Sequence, residues 1–320
     1  MGRARLPMMI VLLLAGAWLV AEPLLVSQAR RHVQADTVDG QPGPLRLGLA
    51  LQDLTVPVQA GAVTLPRLDA WVTPWAPLTA RAILPPTALL DTTDGQQRLE
   101  LSDATARIRL SPIGGRLRHL ETRFAGVGLD GTPLSGQGGI TLQAVSDDRA
   151  EGVAYDIHPD LPDLHFPQLA ALSGGLRLWL DRPIGLSNAD AQPVVQRVLT
   201  EGLDIDARRF RLRVVGLILK GADGRVEGRL AIYASDAGAM LESAAEQGVL
   251  PPQVGLLVRA MLNRIGQADF SGPPIPGQPP MPAAPEGELR IPVEMRDGQM
   301  YLGGIQIGPA PVWPDPSVQG

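Results

Sequence analysis

The sequence predicts a mainly β protein: a long, curved antiparallel sheet in meander order, with an N-terminal transmembrane helix and a short two-helix insertion. Apolar residues alternate with polar ones over many segments, the pattern of strands with one buried face. Gly (36) and Pro (31) are too frequent in 320 residues for a helical bundle and suit short strands joined by tight turns. Asp-Gly, which accepts the positive φ angles of a type I′ hairpin turn, occurs at 39–40, 94–95, 130–131, 223–224 and 297–298.

Hydrophobic residues make up 45% of the chain, enough for a sizeable core, and aromatics only 4%, so that core is aliphatic. The net charge is −5 and no basic block lies beyond Arg31, which argues against a nucleic-acid binder. The chain has no cysteine. Disulfides, thiolate zinc sites, iron–sulfur clusters and cysteine nucleophiles are therefore excluded.

The elements follow in order. Residues 8–21, MMIVLLLAGAWLVA, carry no charge and follow Arg3 and Arg5. A cleaved signal peptide fits poorly: cutting after Ala17 falls inside the apolar run, and cutting after Ala21 puts bulky Leu19 at the −3 position. Leu6 to Val26 as a helix spans roughly 30 Å, the thickness of a bilayer core, so residues 1–26 read as an uncleaved signal anchor. The arginines at the start favour a cytoplasmic N-terminus, although Arg30 and Arg31 on the other flank weaken that bias. The expected placement is single-pass in the inner membrane through residues 6–26, with the rest of the chain in the periplasm.

Residues 27–44 form a stem, expected to be helical over Ser27 to Thr37. Residues 45–234 are the β body: Leu45, Leu47, Leu49 and Leu51 open an alternation that recurs at Ile140–Ala144, Val153–Ile157 and Leu176–Leu180, among others. Spacing predicts 12 to 16 strands. Arg211–Lys220 and Arg225–Ala234 flank one hairpin. Residues 235–266 read as two antiparallel helices. Asp236 caps the first, with Met240, Leu241, Ala244 and Ala245 on one stripe and Gly248 as its stop. Val254, Leu257, Val258, Met261, Leu262 and Ile265 form the apolar face of the second. Residues 267–285, with seven prolines from 271 onward, read as an extended, semi-rigid connector. Residues 286–313 form a C-terminal hairpin, Leu289–Arg296 against Gln299–Ile307, and 314–320 a disordered tail.

Chemistry-bearing patterns are sparse. Gly126-x-Gly128-x-x-Gly131 matches the dinucleotide fingerprint, but a strand pattern follows instead of the helix that would hold a pyrophosphate. Asp156, His158, Asp160, Asp163 and His165 are metal-ligating types, but Pro159, Pro162 and Pro167 make the segment read as a solvated extended loop. Asp204 and Asp206 share one face of a strand without marking a site. Trp71 and Trp75 suit a core, with a membrane-facing or ligand-facing edge as the alternative. No Gly-x-Ser-x-Gly elbow, P-loop or His-Glu-x-x-His is present. No catalytic residue, cofactor or metal ligand is assigned, and the chain is not expected to be an enzyme.

From Asp204 to Ile265 the pattern becomes specific: a strand pair around Gly-Ala-Asp-Gly-Arg-Val-Glu-Gly-Arg-Leu, then Met-Leu-Glu-Ser-Ala-Ala-Glu-Gln-Gly-Val-Leu-Pro-Pro and an amphipathic helix. The C-terminal Asp297–Pro309 strand pair and Trp75-Ala76-Pro77-Leu78 fit as well. This resembles the domain of unknown function 2125 family. The resemblance implies an N-terminal membrane segment and a long β-rich body, and it transfers no catalytic residue. At fold level, an aromatic-poor curved sheet is similar to the grooves of envelope lipid-binding proteins. Alkyl chains need an unbroken apolar wall, which rows of Leu, Val and Ile supply. The expected function is binding or transfer of lipid, or another apolar envelope ligand, along the sheet. The alternative is a non-enzymatic structural or assembly factor whose apolar face closes on itself.

Overall fold

The computed structural model describes residue 35 and residues 37–43, 46–58, 61–92, 95–185, 193–246, 262–271 and 274–314. It holds nineteen strands, and every ladder with a defined register is antiparallel. The chain divides into two compact units, Met1–Leu134 with Ile184–Ala191, and Ser135–Pro183 with Gln192–Gly320.

The first unit holds β1 (Thr37–Gly43), β2 (Arg46–Val58), β3 (Gly61–Thr73), β4 (Ala76–Ile83), β5 (Thr87–Thr92), β6 (Gly95–Ser102), β7 (Thr105–Leu110), β8 (Leu117–Phe124) and β9 (Gly126–Leu129). One edge of β3 pairs with β2, and the other with β4 and then β5. Likewise β4 pairs with β7 and β5 with β6, while β8 and β9 pair with β7 and β6. These are long strands in simple meander order, each broken once. Leu84 N–H donates to Ala104 O at 2.9 Å and Leu101 N–H to Pro86 O at 2.8 Å, carrying the ladder over the break.

The breaks fall at matching levels: Asp53 (φ 50°) in β2, Pro66 in β3, Pro85-Pro86 before β5 and Asp103 (φ 47°) before β7. A proline withholds a ladder N–H, and a left-handed residue turns the strand off its line. The apolar alternation changes phase there. Leu47 and Leu51 are buried before Asp53 and Leu54 after it; across the ladder Leu51 opposes Leu68 and Leu54 opposes Leu65. Leu51, Leu54, Leu65 and Ala88 form this unit's core, with Leu49, Val63, Leu68, Leu84 and Leu99 against it.

The second unit is a meander of β11 (Gly138–Val145), β12 (Val153–Leu161), β13 (Ala171–Leu180), β14 (Val195–Asp206), β15 (Arg211–Lys220), β16 (Val226–Ala234), β17 (Leu289–Arg296), β18 (Gln299–Leu302) and β19 (Ile305–Pro309). The short β10 (Thr132–Ser135) precedes it. Each strand from β11 to β19 pairs with the next. Glycines let neighbouring backbones approach closely. A Cβ at Gly216 (φ 151°) falls 2.2 Å from Arg229 O, and one at Gly228 (φ 144°) 2.2 Å from Leu217 O.

Several expectations are revised. Residues 37–43 of the expected stem form β1, because they pair with β2 from Thr37↔Gln52 to Gly43↔Arg46. Asp39-Gly40 therefore lies inside a strand. Among the described residues the strands number nineteen, because the breaks divide long ones and because Gly303-Gly304 (φ 56° and 80°) turns the chain within the expected Gln299–Ile307 strand. The two-helix insertion is not seen among the described residues. They hold α1 (Ala237–Glu246) and a six-residue α2 (Leu262–Gln267); Val254, Leu257, Val258 and Met261 lie outside them. Asp236 does cap α1, its carboxylate accepting Ala239 N–H at 2.9 Å. No described helix is long and apolar enough to cross a membrane, and residues 1–34 lie outside the described residues. Residues 315–320 of the tail do as well.

The proline-rich segment lies against the sheet as a strap. Phe270, Met281 and Ala284 pack on Val215, Ala231 and Tyr233, and Ile275 on the Trp179–Leu199–Leu217 cluster. Tyr233 Oη donates to Pro282 O at 2.8 Å, and Arg290 donates to Met281 O at 2.9 Å and to Ala268 O at 3.1 Å.

Candidate functional site: the two faces of the second unit

Residues opposed across a ladder share a face, so the registers sort the second unit's side chains into two faces. On one face, a row runs through Leu142, Ile157, Leu176, Thr200, Gly216, Leu230, Val293, Leu302 and Ile305. A parallel row runs through Ala144, Tyr155, Leu178, Val198, Ile218, Gly228, Met295 and Met300. A third joins Leu161, Leu172, Ile205, Leu212, Ala234 and Leu289. None of these residues is ionisable near neutral pH. Nine strands at about 4.8 Å spacing make this apolar wall about 40 Å wide.

Its burial is uneven. Ile291, Val293, Met295 and Leu302 are buried with Trp313, Ala310 and Ala237, and Met240 of α1 packs against the same cluster. Trp313 Nε1 donates to Val195 O at 2.8 Å, which fixes the C-terminal segment over this end. Toward β11, Leu142, Ile157, Leu176, Leu178, Val198 and Ile218 are only half-buried, whereas Tyr155 and Thr200 in the same rows are buried.

The opposite face is mixed: it carries the apolar residues under the strap and the unit's paired charges. One row reads Gln143, Asp156, Arg177, Leu199, Leu217, Arg229, Glu294, Tyr301 and Gln306. Its charges are paired. Arg177 Nε meets Asp156 Oδ1 at 2.5 Å, and Arg177 Nη1 also bonds Asp147, whose side chain is 6% exposed. Hydrogen bonds from Arg149 first, and from Arg177, hold the Asp147 carboxyl well below the usual carboxylate range. Bonding to Asp156 and then Asp147 raises Arg177 in turn. Trp179 lies between Arg149 and Arg197, each guanidinium 5.8 Å from its ring centroid. Under the strap, Arg229 Nη2 meets Glu294 Oε1 at 2.7 Å with both side chains over 90% buried, and Arg229 also donates to Ser271 O. Burial raises the Tyr233 hydroxyl above its usual value.

The structure places the sequence-singled residues as follows. Asp156, His158 and Asp160 lie within β12, since this stretch pairs with both β11 and β13; only Asp163 and His165 lie in the loop beyond. Asp156 is engaged by Arg177, and His165 Nε2 lies 3.3 Å from Asp163 Oδ1. Asp156, His158, Arg177 and Glu201 line an open cavity of about 300 Å³ on the polar face. Among the described residues no group of three or more His, Cys, Asp or Glu is placed to hold a metal. Asp204 bonds Arg213 at 2.7 Å, and Asp206 lies 3.5 Å from Arg211; both are cross-strand ion pairs. Gly126–Gly131 spans β9 and a turn with Asp130 (φ 48°) and Gly131 (φ 79°) that leads into β10, so no helix follows it. Trp71 is half-buried, but Trp75 is 71% exposed and fills no core. Sequence patterning does not show the polar-face network, because its partners lie 21 to 65 residues apart.

No curated protein and no solved structure matches the chain. Residues 43–311 match the family described as "Uncharacterized protein conserved in bacteria (DUF2125)", which spans both meanders and the strap, and the chain belongs to that family.

Proposed function

We propose that the protein is a membrane-anchored periplasmic protein that binds or transfers lipid, or another apolar envelope ligand, along the apolar face of its second unit. The observation that carries this reading is the half-buried part of that face. Rows rich in Leu, Ile and Val cross successive strands with no group charged near neutral pH among them. Large apolar surfaces left partly open on a folded domain mark binding surfaces. The apolar run at residues 6–26 supports an anchor in the inner membrane, with the strands on the periplasmic side. The test is mass spectrometry of lipid extracted from the ectodomain, residues 27–320, purified without detergent. Near-stoichiometric lipid is expected, and its loss in Leu176→Asp, which sets a charge in the middle of a row. A folded, lipid-free ectodomain that takes up none from vesicles overturns the reading.

A structural or assembly role without ligand is the second reading. It is favoured by the closed end of the same face, where Trp313 and α1 already cover Ile291 and Val293.

A further inference from the structure

In the first unit, two of the most exposed large apolar side chains lie at one end of neighbouring strands. Trp75, 71% exposed, occupies the turn between β3 and β4, and Ile113, 81% exposed, the turn between β7 and β8. β4 and β7 pair antiparallel from Ile83↔Thr105 to Thr79↔Arg109, so the turn before β4 and the turn after β7 lie at the same end of neighbouring strands. Leu78, 43% exposed, adds to the patch. Pro74 and Pro77 flank Trp75 and fix the backbone there, so little ordering is needed to present it.

Charge selects the partner. Residues 73–79 carry no charge, and residues 109–118 carry Arg109, Arg116 and Arg118 with no Asp or Glu. The three arginines are exposed, and no carboxylate pairs with them among the described residues. Tryptophan prefers the boundary between headgroups and acyl chains, and guanidinium groups bind phosphate in bidentate fashion. We propose that this end of the first unit docks on a bilayer containing anionic phospholipid, with Trp75 and Ile113 inserted among the headgroups and the arginines on the phosphates. A ligand groove elsewhere in the chain is not required.

The chain lacks cysteine, so Ile113→Cys gives the full-length protein one attachment site for an environment-sensitive fluorophore. The full-length protein is reconstituted into phosphatidylcholine nanodiscs and mixed with vesicles of phosphatidylethanolamine and phosphatidylglycerol. A blue shift, with quenching by spin-labelled lipid in the vesicles, is expected. It should weaken at high salt and be absent with the label at Ile83→Cys, an exposed position away from the turns. Trp75→Ser should lower vesicle partitioning by about tenfold or more, since one large apolar side chain is withdrawn from the interface. Equal partitioning of Trp75→Ser, or an equal response to pure phosphatidylcholine vesicles, overturns the proposal. So does a lipid-independent blue shift that grows with protein concentration, which would mean a second copy of the chain.

Discussion

Gly228→Ala tests the close strand contact in the second unit. The added methyl starts 2.2 Å from Leu217 O and 2.7 Å from Ile218 Cα, both backbone atoms of β15. A side-chain rotation cannot relieve such a clash, so β15 and β16 must part locally. Holding alanine at a φ of +144° costs about 1–3 kcal/mol. Losing two ladder hydrogen bonds adds about 1 kcal/mol each. The lower entropy of unfolded alanine returns about 0.4–1 kcal/mol to the wild type's disadvantage, which partly offsets these costs. The net destabilisation is about 3 kcal/mol, a large part of the roughly 5–15 kcal/mol that holds a domain together. Urea titration of the full chain in mild detergent, followed by far-ultraviolet circular dichroism, measures it. Gly224→Ala is the control: its φ is +77° but no atom lies within 4 Å of the new Cβ, so the left-handed strain of about 1–2 kcal/mol applies without a clash, less the same entropy gain. If the two variants unfold at the same midpoint, close strand approach is not what selects glycine at 228.

Removing one partner of the buried Arg229–Glu294 pair, as in Glu294→Gln or Arg229→Met, should cost about 3–5 kcal/mol in the same titration, whereas Arg229→Met with Glu294→Leu should cost much less. Trp313→Ala should cost about 3–5 kcal/mol by emptying a buried site and orphaning Val195 O, read as a lower thermal midpoint. Asp147→Asn should lose about 2 kcal/mol at neutral pH, the worth of charged hydrogen bonds to Arg149 and Arg177. The Asp147 carboxyl is depressed in the folded state, so its contribution is present above the ordinary value of 3.8 and fades as pH falls below it. The gap between wild type and Asp147→Asn in urea midpoint should therefore be constant from pH 7 to 5 and shrink by pH 3.

Local physics made much of the fold legible. Arg211–Lys220 and Leu289–Arg296 are strands with those bounds, and Asp297-Gly298 joins Arg296 to Gln299 by a two-residue turn. The strand breaks also mark the sequence, as a slip in the phase of the alternation. Leu47, Leu49 and Leu51 give way to Leu54, and Met300 and Leu302 to Ile305 and Ile307. The first slip is Asp53 and the second is the Gly303-Gly304 turn. The strap was not legible, because its partners Arg229, Tyr233 and Arg290 lie on two strands on either side of it in sequence. The apolar rows were visible strand by strand, but their alignment into one face depends on registers that pass through bulges near Gly175 and Thr200.

The meander order of the second unit gives its assembly a direction. From β11 onward each ladder joins strands that follow one another along the chain, so each strand's template is the segment made just before it. Loop closure is cheap for such neighbours and dear for distant ones. The longest excursion is residues 235–288, between β16 and β17, and it contains the strap. A chain delivered N-terminus first can thus zip its sheet as far as β16 and then halt. Arg229 waits without Glu294 until the proline-rich segment has passed and β17 arrives. The last ladders and the burial of that ion pair then form one late, joint step, visible in pulsed hydrogen exchange as protection at β17 and β18 lagging behind β12–β16.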